Sequence, residues 1–378
     1  MKVLHLYSNW KWTGPAEHAL ATAQYLCKKG YDLTFACAHP PVEVEDSLVQ
    51  RARKTGIPLV NGFYLNKHMH VWQNAHDIGR LVKFINNMNC DLIHTHLVND
   101  HIIAGIAARL CSKKVALVRT VYDGTGLSSG FRNRGLLSFS TDALITVSEM
   151  SRHAIQTQFA FPNNKLWVIS PGVDCERFNT GVDGKKVRSK YGIDQLDPLI
   201  GIVARVQPHR RFEVFLKAIQ MVVTEIPQLK VFIIGRGTHI QEVAIKPAQE
   251  MGLSDNIFFT GYQLQGYPEM LAALDLKVFL VPGSDGSCRA VREAMAMGKP
   301  VVVANRGMLS EIVEDGVSGL VVDDTPENLA RAISLLITDK QLRATMGEEA
   351  RKKMYEECNL TQQQEKNEEV YRRASGKH

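Results

Sequence analysis

Short apolar runs alternate with amphipathic stretches along almost the whole chain. Val3 to Ser8 reads as a strand, followed by the polar turn 9–15 and an amphipathic helix from about Ala16 to Lys29 that stops at Gly30. Leu33 to Ala38 is the next strand. Strands then recur at 91–96, 116–120 and 142–148, with helices near 74–87, 100–110 and 149–158 between them. A second series has strands at 199–205, 230–235, 257–262, 278–281 and 301–304, with helices ending near Val223 and spanning 268–274, 326–337 and 340–355. The tail from Leu360 to Tyr371 is again helical. Strands that alternate with helices in this way predict an α/β protein with parallel sheets.

The sharpest change of period lies between Val278 and Ala304. A short apolar run gives way to Pro282-Gly283-Ser284-Asp285-Gly286-Ser287, then to apolar positions 290, 291, 294, 295 and 297, then to a further apolar run after Gly298 and Pro300. This reads as strand, tight loop, helix, strand. Such a loop lies at the carboxyl end of a parallel strand, where open α/β sheets bind ligands, and the helix after it offers unpaired N–H groups to a phosphate. Asp285 and Glu293 frame the turn. Carboxylates repel phosphate, so they are better matched to hydroxyls, and a nucleotide sugar carries hydroxyls on both sides of its diphosphate.

At 378 residues the chain is long enough for two domains, and 45% hydrophobic content fills two cores. No apolar run reaches about 18 residues and the chain opens directly on a strand, so neither a transmembrane span nor a signal peptide is expected. Seven scattered cysteines without a Cys-x-x-Cys pair point to reduced, cytosolic thiols and away from structural zinc. The net charge of +6 is compatible with an anionic substrate or membrane surface, but the basic residues form no stripe and no nucleic-acid motif is present. A nicotinamide-dependent dehydrogenase is disfavoured, because no Gly-x-Gly-x-x-Gly follows the first strand.

The segment Asp285-Gly286-Ser287-Cys288, closed by Glu293, resembles the acidic signature of family-4 retaining glycosyltransferases of the GT-B fold, usually Glu-Gly-Phe-Gly with a second Glu downstream. Asp285 is one methylene shorter than the usual Glu, and Ser287-Cys288 replaces Phe-Gly. Other elements fall in the family's order. Arg205 and Arg210 take its arginine and lysine positions, Gly235 and Gly237 form the Gly-x-Gly where the nucleotide passes, and Tyr262 stands beside the nucleobase. In the first half, Thr13-Gly14 stands where a Gly-Gly pair is common, and Asp91-Leu92-Ile93-His94-Thr95-His96 matches a strand that ends in a site histidine. Tyr122 occupies a position that is often histidine. Trp10 and Trp12 mark a surface that meets either an acceptor or a membrane. The Gly-, Ser- and Arg-rich tract 126–140 is read as a loop, in which Arg132 and Arg134 either hold an acidic acceptor or anionic headgroups, or are simply solvated.

The resemblance implies two Rossmann-like domains facing across a cleft. These are an N-terminal acceptor-binding domain (1–178), a linker (179–190), a nucleotide-sugar-binding domain (191–358), and a C-terminal helix (359–378) that crosses back to the first domain. It also implies transfer of a sugar from a UDP- or GDP-type donor to an acceptor hydroxyl with retention, without a metal or other cofactor. Glu293 would hold the ribose and Asp285 the donor sugar, while Arg205, Arg210 and the amides of Ser287, Cys288 and Arg289 would meet the departing diphosphate. The acceptor class is a glycan or lipid-linked molecule of envelope polysaccharide, lipopolysaccharide or glycolipid synthesis, and the location is cytoplasmic or peripheral on the inner face of the plasma membrane. Two rivals remain: a phosphorylase or epimerase of the same fold, and a non-catalytic nucleotide-sugar-binding protein.

Overall fold

The structure is a computed structural model and describes residues 1–376 except 43, 45, 264 and 283–287. Two compact units divide the chain, one running from Met1 to Pro171 and taking up the segment from Thr361 onward, the other formed by the described residues between Gly172 and Leu360.

The first unit contains β1 (Lys2–Tyr7), α1 (Gly14–Lys28), β2 (Asp32–Cys37), α2 (Leu48–Lys54), α3 (Val71–Met88), β3 (Leu92–Thr95), α4 (Val98–Leu110), β4 (Ala116–Val121), α5 (Phe131–Phe139), β5 (Ala143–Thr146), α6 (Glu149–Phe159) and β6 (Leu166–Val168). Its six strands are all parallel, in the order β2-β1-β3-β4-β5-β6. The order reverses between β1 and β3, the position where a doubly wound sheet opens a crevice at its carboxyl edge. One face of the sheet packs Val3, Tyr7, Leu33 and Phe35 under α1, and the other packs Leu4, Leu6 and Ile93 under α3 and α4.

The second unit contains α7 (Lys185–Lys190), β7 (Leu199–Val203), α8 (Phe212–Glu225), β8 (Lys230–Ile234), α9 (Lys246–Glu250), β9 (Ile257–Gly261), α10 (Tyr267–Ala272), β10 (Leu276–Phe279), α11 (Arg289–Ala296), β11 (Val301–Ala304), α12 (Leu309–Ile312), β12 (Gly319–Val322), α13 (Pro326–Thr338) and α14 (Lys340–Glu357). The parallel order β9-β8-β7-β10-β11-β12 is the Rossmann arrangement, with its reversal between β7 and β10. The last helix, α15 (Leu360–Ser375), returns to the first unit and buries Val370 and Tyr371 in its core. Glu368 accepts hydrogen bonds from Tyr25 and Tyr31 there.

Two tracts depart from their sequence reading. The 126–140 stretch is not all loop. Phe131–Phe139 is helical and packs on α4 where Gly105 leaves room for Leu136; a Cβ at Gly105 would lie 2.7 Å from the Leu136 side chain. The polar tract 179–190 ends in α7, held to the second unit by buried Arg188. Its guanidinium donates to the Ala273, Asp194 and Asp197 carbonyls and to the Asp275 carboxylate. Upstream of that tract, Val173 pairs with Asn359 and Phe178 packs against Tyr267, so 172–178 lie in the second unit.

Candidate functional site

In the second unit, the loop after β7 and the turn after β10 meet at the sheet's reversal point. Arg210 donates through Nη1 to the Val281 carbonyl at 2.8 Å, which fixes a cation at the mouth of that turn. Its neighbour Arg211 points elsewhere. With φ of 62° it turns the chain, and its guanidinium pairs with Asp324 and Glu213. Asp324 also pairs with Arg306. Of two adjacent arginines, Arg210 donates to the Val281 carbonyl, whereas Arg211 pairs with Asp324 and Glu213. Arg205 stands exposed earlier in the same loop.

Gly235 and Gly237 are needed by the backbone. A Cβ at Gly235, where φ is 152°, would lie 2.0 Å from the Ala204 carbonyl oxygen, and one at Gly237 would lie 1.7 Å from that of Val206. Only glycine lets the end of β8 run this close to the arginine loop. Tyr262, half exposed, has the Arg236 guanidinium 4.8 Å over its ring.

Glu293 is buried on α11. Its Oε2 accepts the Tyr267 hydroxyl at 2.9 Å, and its Oε1 lies 3.2 Å from Arg289 Nε. Burial, reinforced by the carboxylate, raises the Tyr267 phenol well above its usual pKa. Beneath them Lys277, wholly buried on β10, donates to the Ala290 carbonyl. Burial holds its ammonium well below the usual pKa, against the opposing pull of Glu293. Cys288, at φ 43°, is the buried N-cap residue just before α11. Asp285, Gly286 and Ser287 lie outside the described residues.

In the first unit the equivalent point lies between β1 and β3. Asp100, in the first turn of α4, accepts the N–H groups of Ser8 and Leu97 and pairs with buried Arg119 at 3.2 Å. Burial raises its carboxyl pKa to about 6. Thr13 caps α1 ahead of Gly14, and its hydroxyl meets that of Tyr7 at 2.8 Å.

His96 is buried and does not stand alone. Parallel pairing sets His5 beside His94 on the face covered by α1 and α15. A continuous chain results. Tyr122 meets His96 Nδ1 at 3.0 Å, His96 Nε2 meets His5 Nδ1 at 3.3 Å, and His5 Nε2 meets the Tyr371 hydroxyl at 3.1 Å. That hydroxyl bonds His94 Nδ1, and His94 Nε2 meets Thr120 at 2.8 Å. Burial lowers the His5 pKa to about 3 and holds those of His94 and His96 well below the usual value. All three rings are therefore neutral, each able to donate at one nitrogen and accept at the other. The three imidazoles offer ring nitrogens within 4.8 Å of one another, a donor set suited to a zinc-type ion. All six ring nitrogens, however, already have hydrogen-bond partners, which is the geometry of a hydrogen-bond chain and not of a coordination sphere.

Sequence reasoning missed Tyr267, Lys277, His5 and Tyr371. Lys277 left a signal, as the lone charge inside Leu276-Lys277-Val278-Phe279. His5 shared the period-2 face of Val3 and Tyr7. Tyr371 left none, because its partners lie 366 and 277 positions away.

Two six-stranded parallel sheets, each with its polar groups gathered at a reversal point, define the architecture of a GT-B protein. Residues 12–177 match the pattern of Glycosyltransferase Family 4, and residues 183–353 match that of Glycosyl transferases group 1. The chain belongs to the family-4 glycosyltransferases of the GT-B fold. N-acetyl-alpha-D-glucosaminyl L-malate synthase of Bacillus anthracis is 25% identical over 323 residues, spanning 80% of this chain and 83% of that enzyme. D-inositol 3-phosphate glycosyltransferase of Segniliparus rotundus is 29% identical over 287 residues, spanning 73% of this chain but 59% of its own length. The crystal structure of Anabaena HepE in complex with UDP shares the fold, with a TM-score of 0.83 at 21% identity over 98% of this chain and 99% of that one. No helix among the described residues is long and apolar enough to cross a membrane.

Proposed function

We propose that the protein moves a sugar from a nucleoside diphosphate donor of the uridine or guanosine type to an acceptor hydroxyl, with retention of anomeric configuration. The observation that carries this reading is the Arg210–Val281 contact, which seats a cation against the turn that leads into the α11 N-terminus. The bond from the anomeric carbon to the diphosphate breaks, and the acceptor oxygen bonds to that carbon on the same face. The acceptor proton passes to the departing phosphate oxygen, leaving a glycoside and a nucleoside diphosphate. Charge builds on the diphosphate as the bond breaks, and Arg205, Arg210 and the α11 amides are placed in this scheme to meet it. These cations supply the electrostatics that a divalent metal supplies elsewhere, so activity is expected to survive a chelator. Glu293 takes the ribose and Asp285 the donor sugar. Support for a uridine donor comes from HepE, which was solved with UDP and with UDP-glucose. The acceptor is a glycan or lipid-linked molecule of envelope synthesis, reached from the cytoplasmic side of the membrane.

Thermal shift with UDP and GDP identifies the base, because a ligand that binds only the folded form raises the melting temperature. Sugar transfer to an acceptor then separates a transferase from a phosphorylase, an epimerase or a binding protein. Replacing Arg210 with alanine is expected to lower kcat by about 10²–10³, the usual loss when one group that meets a developing anion is removed. An unchanged kcat would remove Arg210 from this role.

A further inference from the structure

We propose that the carboxyl-edge rim of the first unit docks on an anionic phospholipid bilayer, with Trp72 and Phe131 as its interfacial anchors. In a parallel sheet the crossover helices run against the strands, so α3, α4 and α5 all begin at the sheet's carboxyl edge. Each begins with an exposed apolar residue. Val71 and Trp72 open α3, with Trp72 81% exposed; Val98 opens α4; Phe131 opens α5 and is 93% exposed. Met69, just before α3, is exposed as well. Helix starts ordinarily favour acidic side chains, yet the first turns of α3 and α5 hold none.

Basic groups stand among these apolar residues. Lys67, His68 and His70 precede Trp72, and Arg132 and Arg134 follow Phe131, all exposed. The charge of the whole chain is distributed in the same sense. Residues 1–171 and 361–378 carry 22 Lys and Arg against 14 Asp and Glu, whereas residues 172–360 carry 23 against 25. The net positive charge thus resides entirely in the segments that carry the rim. Aromatic anchors interleaved with cations match a bilayer interface, where rings settle at headgroup depth and lysine and arginine meet anionic lipid. Apolar points spread over several helix starts suit a soft planar surface. The inference extends the proposed envelope acceptor by naming the surface through which the enzyme reaches it, and binding alone tests it.

The full chain is sedimented with vesicles of phosphatidylglycerol and phosphatidylethanolamine, and with vesicles of phosphatidylcholine alone. Binding is expected to the anionic vesicles, to weaken with salt, and to fall by about tenfold or more in a Trp72→Ser/Phe131→Ser double variant, since each aromatic withdraws apolar area from the interface. Both positions are exposed, so melting temperature and the nucleotide thermal shift should match the parent chain and show that the variant is folded. Equal vesicle binding by parent and variant, or no binding of the parent to anionic vesicles, overturns the proposal. A parent chain that binds the vesicles but fails to transfer sugar would leave the docking surface standing while removing the enzymatic reading.

Discussion

Glu293→Ala is expected to weaken nucleoside diphosphate binding by at least about tenfold and to lower the stability of the second unit by about 3–5 kcal/mol, the usual consequence of removing one partner from a buried charge cluster. The carboxylate lies between the Tyr267 hydroxyl and Arg289, with Lys277 buried beneath. Alanine removes the counter-charge of buried Lys277 and one partner of exposed Arg289, and leaves a phenol without its acceptor. Glu293→Gln separates the two effects. The amide keeps an oxygen for Tyr267 and for a ribose hydroxyl but removes the charge, so it should lose stability while retaining more of the binding than alanine does. Calorimetric titration with UDP or GDP and urea unfolding of both variants provide the check. If the alanine variant binds nucleotide as the parent does, Glu293 is a structural residue and does not hold the ribose.

Acid should destabilise the first unit steeply below about pH 6.5. His5, His94, His96 and His101 are buried neutral, with pKa values depressed by desolvation. Arg119 lies close enough to His94, His96 and His101 to add to the depression. A depressed histidine pKa means that the unfolded chain takes up protons first as pH falls, so stability is full above the unfolded value of about 6.5 and declines below it. Each such imidazole contributes a slope of about 1.4 kcal/mol per pH unit. Asp100 acts in the opposite sense, because its raised pKa makes the folded state the better proton acceptor between about 4 and 6. Four imidazoles outweigh one carboxyl, and the urea midpoint should drop sharply between pH 6.5 and 5. Tyr371→Phe removes the hydroxyl shared by His5 and His94, and at neutral pH should cost about 1–3 kcal/mol for the polar groups left unpaired. A midpoint that stays flat across this range would mean that the imidazoles are not held neutral.

Much of the fold was legible because the βα alternation repeats with little interruption and hydrophobic period reports a helix or a strand locally. The helix Phe131–Phe139 was hidden because its surrounding sequence, rich in Gly, Ser and Arg, carries weak local preference. Its packing rests on Gly105 of α4, which leaves room for Leu136. In the candidate site, residue type and order single out the acidic turn and the arginine loop, but nothing local tells Arg210 from Arg211. That distinction follows from Asp324, more than a hundred residues downstream, which draws Arg211 away.

By itself the sequence determined the α/β class, the two series of strands and the family. Each of these depends on periodicity and on short segments whose meaning is local. The tertiary structure decided which groups share an environment. It brought Tyr267 and Lys277 to Glu293, threaded three histidines through a tyrosine of the last helix, and set the apolar starts of three helices along one edge. Desolvation and hydrogen bonding act across space, and strand order, which no local pattern encodes, fixes which side chains become neighbours.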